Sequence, residues 1–322
     1  MTRRIGAALA AATLLALTAP ALAQSPAPAQ PPAPAPSPAG IPGVVAPGVE
    51  PQLLQDVFKF TEGPVGTADG ALYFSDIRAN RTYLLEPGGK ISVVRENTNG
   101  GNGLALTKDG DLLTAEGDGK RISRLGRNGK VTTVTDGIEG KPLLAPNDLI
   151  VDANGGIYFT DPGPRPVVPG RVVHVYYLPA GAKEPRVVDD KVARPNGLTV
   201  TADGKTLIVD DTIGNTVFAY DIEPDGTVRN KRAFAELRDI PAGQESIADG
   251  MALDRDGRVY VTTVKGIQVF DRDGQYLGTI AVARQPANLA FAGPNKRTLF
   301  ITAREGLYSL EMLSQGPERL GK

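Results

Sequence analysis

Residues 195–210 read PNGLTVTADGKTLIVD. Apolar and polar side chains alternate up to Asp203-Gly204, a dipeptide typical of tight hairpin turns because glycine accepts a positive φ. A second apolar run, residues 207–209, follows the turn. The pattern predicts two antiparallel strands joined by a short turn, with Asn196 at the start of the first strand.

The same pattern occurs six times, and successive copies begin 39 to 53 residues apart. Most copies continue into a third apolar run and several into a fourth, and repeats of this length with four short strands are typical of propeller blades. We therefore predict an all-β fold, a six-bladed β-propeller of four-stranded blades. Residues 57–60 precede the first copy and are predicted to supply the outer strand of the last blade, closing the ring. The copies begin at Glu62, Asn102, Asn147, Asn196, Asp249 and Asn288.

The six starting residues are all acidic or amide residues, and the first strand of a propeller blade lines the central channel. Equivalent positions lie at the same height around the axis, so these side chains are expected to form a ring at one mouth of the channel. Crowded carboxylate and amide oxygens favour a hard cation. The expected ion is Ca²⁺, with Mn²⁺, Mg²⁺ or Zn²⁺ as alternatives. Four acids lie fourteen positions after a starting residue and are expected close to the ring: Asp76, Glu116, Asp161 and Asp210.

The N-terminal region predicts export. Two arginines precede an apolar run that ends at Ala21-Leu22-Ala23, which indicates a secretory signal peptide over residues 1–23. Residues 24–50 are rich in Pro and Ala and predict a disordered linker, and residues 51–322 form the propeller. We expect a periplasmic or secreted monomer.

Composition excludes several other functions. The net charge of −1 and the lack of a basic cluster argue against nucleic-acid binding. No segment after the signal peptide is apolar enough to span a membrane. The chain has no Cys, which excludes a lipoprotein, and its one His, His174, lies in a strand pattern away from the ring. A Ser-His-Asp triad or a histidine dyad is therefore unsupported.

Four motifs carry a family resemblance: Glu62-Gly63-Pro64-Val65, Pro146-Asn147-Asp148, Pro195-Asn196-Gly197-Leu198 and Asp249-Gly250-Met251. With them the sequence resembles the SMP-30/gluconolactonase family of six-bladed propeller lactonases. The resemblance implies that Glu62, Asn196 and Asp249 coordinate the divalent cation. It implies that Asn147 coordinates the ion or binds substrate, and that Asn102 and Asp148 lie near the substrate. Ala145 stands where members acting on sugar lactones can carry Arg.

The implied reaction is hydrolysis of a lactone, with Asp249 as the candidate general base and Asp148 as the reserve. Two alternatives stay open. One is a non-catalytic envelope propeller that binds a peptide or polysaccharide, since propellers serve many functions. The other is a phosphotriesterase-type hydrolase on the same metal site. The Pro- and Gly-rich segment 162–170 is expected at the channel mouth, where it would shape the substrate site.

Overall fold

The computed structural model describes residue 1 and residues 39–318. The predicted signal peptide, residues 24–38 of the predicted linker and the last four residues lie outside the described part. Within that part nearly all regular structure is strand, with two short 3₁₀ helices at Ile77–Ala79 and Pro294–Lys296. No helix among the described residues is both long enough and apolar enough to cross a membrane.

The described residues form 26 strands, numbered here in chain order. They are β1 Gln52–Gln55, β2 Thr61–Gly66, β3 Leu72–Asp76, β4 Arg81–Leu85, β5 Ile91–Glu96, β6 Gly101–Leu106, β7 Leu112–Glu116, β8 Arg121–Leu125, β9 Val131–Thr135, β10 Gly137–Ile138, β11 Lys141–Pro142, β12 Leu149–Val151, β13 Ile157–Asp161, β14 His174–Leu178, β15 Arg186–Asp189, β16 Pro195–Val200, β17 Thr206–Asp211, β18 Thr216–Ile222, β19 Val228–Glu236, β20 Met251–Leu253, β21 Val259–Thr263, β22 Gly266–Phe270, β23 Tyr276–Ile280, β24 Asn288–Ala292, β25 Thr298–Ala303 and β26 Gly306–Glu311.

The strands form six four-stranded antiparallel sheets, so the predicted six-bladed propeller is confirmed. Blades 1 to 5 each use four consecutive strands: β2–β5, β6–β9, β12–β15, β16–β19 and β20–β23. Blade 6 takes three strands from the end of the chain and its outer strand from the start, in the order β24-β25-β26-β1. The small hairpin β10–β11 lies between blades 2 and 3.

The ring is closed by an N-terminal strand, but not by the predicted residues. Strand β1 pairs antiparallel with β26, with Gln52 opposite Ser309. Residues 57–60 are not a strand. The backbone N–H groups of Lys59 and Phe60 each donate to the carboxylate of Asp76 over 2.9 Å, instead of joining a sheet. Their apolar alternation therefore reflects burial of side chains such as Phe58, which is 6% exposed, and not a strand.

The core lies between neighbouring blades, and the N-terminal segment contributes to it. Ile41, Val44 and Val45 are buried in the apolar cluster shared by blades 5 and 6. The backbone N–H of Leu313 donates to the carbonyl of Val44 over 2.9 Å. The prediction that the disordered linker extends to residue 50 is therefore wrong, because three apolar side chains within it find a binding surface on the propeller.

Candidate active site: a ring of oxygen ligands at the channel mouth

The inner strands of blades 1, 2 and 4 bend at the residues that the sequence singles out. In β2 the register with its neighbour shifts between Glu62 and Val65, and equivalent shifts occur in β6 and β16. Each shift coincides with the glycine that follows the ring residue. A β-bulge bends its strand and redirects a side chain, so these bulges set how the ring side chains meet the channel.

The glycines are required because neighbouring blades nearly touch at this height. A Cβ at Gly63 would lie 2.1 Å from the carbonyl oxygen of Asn102. A Cβ at Gly197 would lie 1.9 Å from the carbonyl oxygen of Asp249. Any larger residue at Gly63 or Gly197 would push two inner strands apart, so the glycine after Glu62 and after Asn196 lets each of these strands lie against the next blade.

Contacts continue around the whole ring. The N–H of Gly103 donates to the carbonyl of Asn147 over 2.8 Å. The hydroxyl of Thr160, beside Asn147 on the next strand, donates to the carbonyl of Asn196 over 2.7 Å. The structure thus brings together the six starting residues predicted from the repeat. The ring is completed by two further contacts: a Cβ at Gly250 would lie 2.0 Å from Asn288 Oδ1, and the Asn288 amide donates to Glu62 Oε2 over 3.0 Å.

Three carboxyl groups at this ring, those of Glu62, Asp210 and Asp148, act electrostatically on the carboxyl group of Asp249. Glu62 is 2% exposed, and it shares a hydrogen bond with the half-buried Asp249. Burial raises the pKa of Asp249 well above its usual range, and repulsion from Glu62, Asp210 and Asp148 raises it further. So many carboxylates at close range require either a shared proton or a cation between them.

Two amide oxygens at the ring lack partners. The Oδ1 atoms of Asn102 and Asn196 are buried and accept no hydrogen bond from the described residues. A buried acceptor without a partner costs free energy, so these oxygens indicate a missing ligand. Within residues 39–318 no three Asp, Glu, His or Cys side chains form a metal cluster by themselves. Amide oxygens would have to complete the set begun by Glu62 and Asp249, and such a mixed oxygen set suits Ca²⁺.

The structure places the remaining predicted residues as follows. Asp148 is 1% exposed, and its Oδ1 accepts from the N–H of Leu149 over 2.9 Å. Asn147, the adjacent residue, is half-buried at the mouth. The assignment of these side chains to metal, substrate or proton transfer stays a prediction. His174 begins β14 opposite Asp161 and stacks on the ring of Tyr176, outside the inner-strand ring.

Three of the four acids expected near the ring serve other structural purposes. Asp76 and Asp161 each accept two backbone N–H bonds from the segment that enters the inner strand of the same blade. Glu116 is buried in ion pairs with Arg95 and Arg121. These acids hold the blade entrances in place beside the ring residues, so their carboxylates are used there. Asp76 pairs with Thr61, next to Glu62, and Glu116 pairs with Gly101, next to Asn102.

Asp210 does lie at the ring, because the turn of blade 4 is longer than that of blade 1. The fourteen-residue spacing alone does not indicate this difference. Residue Val200 pairs with Leu207, seven positions on, whereas the equivalent Gly66 pairs with Leu72, six positions on. The turn of blade 4 is therefore one residue longer, and Asp211 takes the role of Asp76 by accepting from the N–H of Arg194. Asp210 consequently moves one position inward, where its Oδ1 accepts from the N–H of Gly197 over 3.1 Å.

A buried arginine lies beside the ring on the side of blades 3 and 4. Arg194 is 6% exposed, and its guanidinium donates to the carbonyls of Pro162 and Gly163 over 3.1 and 3.2 Å. Burial lowers the pKa of Arg194, and the nearby charge of Arg165 lowers it further, while Glu245 and Asp249 act in the opposite direction. The sequence pattern gave no signal for Arg194, because no other blade carries a basic residue at this position.

A separate cavity of about 730 Å³ opens on the opposite face, among the hairpin turns of blades 2, 3 and 4. Two of its acids are engaged in those turns. Asp152 accepts from two backbone N–H groups and from the hydroxyl of Tyr177, and Asp203 accepts from the hydroxyl of Thr201. This cavity therefore lacks the unpartnered oxygens that distinguish the ring.

Comparisons with known proteins agree with the geometry. The family described as the SMP-30/Gluconolactonase/LRE-like region matches residues 60–305. A gluconolactonase of Zymomonas mobilis is 26% identical over 280 residues, covering 78% of each chain. An L-arabinolactonase of Azospirillum brasilense is 31% identical over 225 residues, covering 68% of this chain and 71% of the relative. A solved gluconolactonase structure from Xanthomonas campestris superposes with a TM-score of 0.75 at 29% identity, covering 90% of this chain and 99% of the other. The chain belongs to the SMP-30/gluconolactonase/LRE-like family.

Proposed function

We propose that this protein is an exported, divalent-cation-dependent lactone hydrolase. Its similarity to proteins named gluconolactonase and L-arabinolactonase supports the reaction class. The observation that carries the cation dependence is the pairing of two hydrogen-bonded carboxyl groups, Glu62 and Asp249, with the partnerless amide oxygens of Asn102 and Asn196. A bound cation would supply positive charge to the two carboxyl groups and a partner to the two amide oxygens.

The proposed ion-holding residues are Glu62, Asn147, Asn196 and Asp249. When bound, a divalent cation such as Ca²⁺ would polarise the lactone carbonyl and acidify a water molecule. The Oδ1 of Asn196 has no competing donor among the described residues, so it is available to the ion without breaking a hydrogen bond. The Asn288 amide holds Glu62 in one orientation, which reduces the ordering cost of binding.

The proposed chemistry is the addition of water to the lactone carbonyl. Asp249 takes a proton from the attacking water and returns it to the ring oxygen as the acyl–oxygen bond breaks, so the product is a hydroxy acid. Asn102, Asn147 and Asp148 lie on the side of blades 2 and 3 and would orient the substrate there. Asp148 is the alternative proton acceptor, since it is within electrostatic range of Asp249.

The decisive test is lactone hydrolysis by the purified protein before and after metal removal. Turnover of a lactone panel should disappear with a chelator and return with Ca²⁺, Mn²⁺, Mg²⁺ or Zn²⁺. Asp249→Asn should abolish turnover, whereas Asp190→Asn, at an exposed position paired with Lys191, should not. Undiminished hydrolysis in a verified metal-free sample would refute the cation dependence, and no hydrolysis under any condition would refute the reaction.

Export is proposed from residues 1–23 alone. Expression of the full chain in a Gram-negative host should yield protein in the periplasm or medium whose N-terminal residue is Gln24. Full-length protein retained in the cytoplasm would contradict it.

A further inference from the structure

The side chain of Arg194 is a buried cation without an anionic partner. Its guanidinium has five N–H donors, of which two are used by the carbonyls of Pro162 and Gly163. Among the ion pairs of residues 39–318, none includes Arg194. A charge removed from water is costly unless it is paired, so the site is electrostatically incomplete without an anion.

Two further guanidinium groups lie on the segment that Arg194 contacts at the channel mouth. Arg165 and Arg171 both lie on the connection between β13 and β14, whose first residues Arg194 holds. A Cβ at Gly163 would lie 3.6 Å from Nη1 of Arg171. Only Arg165 has a carboxylate partner, Glu245, at 2.9 Å. Of these three arginines, only Arg165 is therefore in an ion pair among the described residues.

The group formed by Arg165, Arg171 and Arg194 adjoins the proposed reaction centre. Arg194 precedes the ring residue Asn196 by two positions, and its backbone N–H is fixed by Asp211 over 3.0 Å. The carboxyl group of Asp249 is close enough to act electrostatically on the guanidinium of Arg194. A group attached to a bound lactone and directed towards blades 3 and 4 would therefore meet the guanidinium groups while the ester remained at the ring.

We propose that Arg194, with Arg165 and Arg171, forms a subsite for an oxyanion carried by the lactone, so that the preferred substrates are acidic lactones. The inference rests on the proposed function and narrows its substrate class. Guanidinium groups match the geometry of carboxylate, phosphate and sulfonate oxygens, and the low exposure of Arg194 strengthens its attraction for an anion. A neutral polyhydroxylated lactone would leave this charge unpaired.

The test uses two lactones that differ only at C6. D-Glucono-1,4-lactone carries a hydroxymethyl group there, and D-glucaro-1,4-lactone carries a carboxylate. The wild-type protein should have the higher kcat/KM for the glucaro-lactone, and added NaCl should reduce that preference. Arg194→Gln should lose about tenfold more kcat/KM on the acidic lactone than on the neutral one, chiefly through KM. Arg194→Lys, which keeps the charge, should recover part of the loss.

The control is Arg81→Gln, at a half-exposed arginine that is paired with Glu96 on blade 1. This change should leave the ratio of the kcat/KM values for the two lactones unchanged. If Arg194→Gln lowers kcat/KM equally for both lactones, Arg194 only positions the loop and the subsite is refuted. A wild-type preference for the neutral lactone would refute it as well. If neither lactone is hydrolysed, the proposed function fails. The subsite is then tested separately, by calorimetric measurement of anion binding. Wild-type protein loaded with Ca²⁺ should then bind glucarate more tightly than gluconate, and Arg194→Gln should not.

Discussion

Asn288 and Glu62 are 226 residues apart in the chain, yet the Asn288 amide donates to Glu62 Oε2 over 3.0 Å. Both side chains are 2% exposed. The propeller is thus closed twice between its last and first blades: at the rim by strand β1, and at the channel by this hydrogen bond. Because Oε2 also accepts from the N–H of Gly63, the Glu62 carboxylate is held by two donors before any ligand binds.

Replacing Glu62 by Gln should weaken divalent-cation binding more than any other conservative change outside Asp249. The substitution keeps the size of the side chain but removes one of the two carboxylates in the proposed ligand set. Calorimetric titration with Ca²⁺ should show affinity lower by at least about tenfold. The matched control is Glu86→Gln, whose side chain forms an exposed pair with Lys90 and should not alter binding. Equal affinities for wild type and Glu62→Gln would remove Glu62 from the ligand set.

Gly197→Ala should disrupt the ring mechanically. The new Cβ would lie 1.9 Å from the carbonyl oxygen of Asp249 and 2.8 Å from Oδ2 of Asp210, so the inner strands of blades 4 and 5 must separate. Overpacking of this kind costs about 1–3 kcal/mol, and it should also lower cation affinity because Asp249 moves. Urea unfolding and calorimetry measure the two effects. Gly88→Ala is the control, because a Cβ there has no atom within 4 Å. A Gly197→Ala protein as stable as Gly88→Ala would show that the blades do not approach this closely.

The fold and the ring followed from the repeat because both depend on local patterning. Period-2 alternation and Asp-Gly turns specify strands and hairpins, and six equivalent positions such as Glu62 and Asn196 must then converge on one axis. Asp210 shows the limit of this reasoning. A single extra residue in the turn of blade 4 shifts it from the blade entrance to the ring, and a fixed count along the sequence gave four acids the same position.

The remaining errors concern contacts between distant segments. Residues 57–60 have a strand-like pattern, but Asp76 captures their N–H groups, so residues 52–55 close the ring instead. The burial of Arg194 depends on the connection between β13 and β14 and not on its own repeat, so the repeat does not predict it. Tertiary partners of this kind leave no periodic signal in one sequence.

Glu116 should make stability depend on pH in the acidic range. Burial alone would raise the pKa of Glu116, but hydrogen bonds from Arg121, Ser123, Arg95 and Asn99 outweigh it, so the pKa lies below the usual 4.5. A carboxyl group with a lowered pKa stabilises the folded state above its unfolded value, and this contribution is lost as the pH falls through the folded value. Glu116→Gln leaves Arg95 buried without its partner and should cost about 3–5 kcal/mol at pH 7.

The measurement is urea unfolding of wild type and Glu116→Gln at pH 7 and near pH 3. The difference between the two proteins should shrink at the lower pH, since the stabilisation from a lowered pKa is lost as the pH falls from the unfolded-state value towards the folded-state value. Glu96→Gln, at an exposed ion pair with Arg81, should show little effect at either pH. A difference that stays constant with pH would mean that the ion pairs of Glu116 do not contribute through its charge.

Val44 tests whether the segment before residue 51 belongs to the folded domain. Its side chain is fully buried among blades 5 and 6, and its carbonyl accepts from the N–H of Leu313. Val44→Ala should lower the free energy of unfolding by about 1–2 kcal/mol, because it removes apolar contacts and leaves a small void. Val57→Ala makes the same chemical change at a side chain that is 72% exposed and should have almost no effect. If the two variants unfold at the same urea concentration as wild type, residues 41–45 do not pack on the propeller in solution, and the domain begins where the Pro- and Ala-rich composition ends.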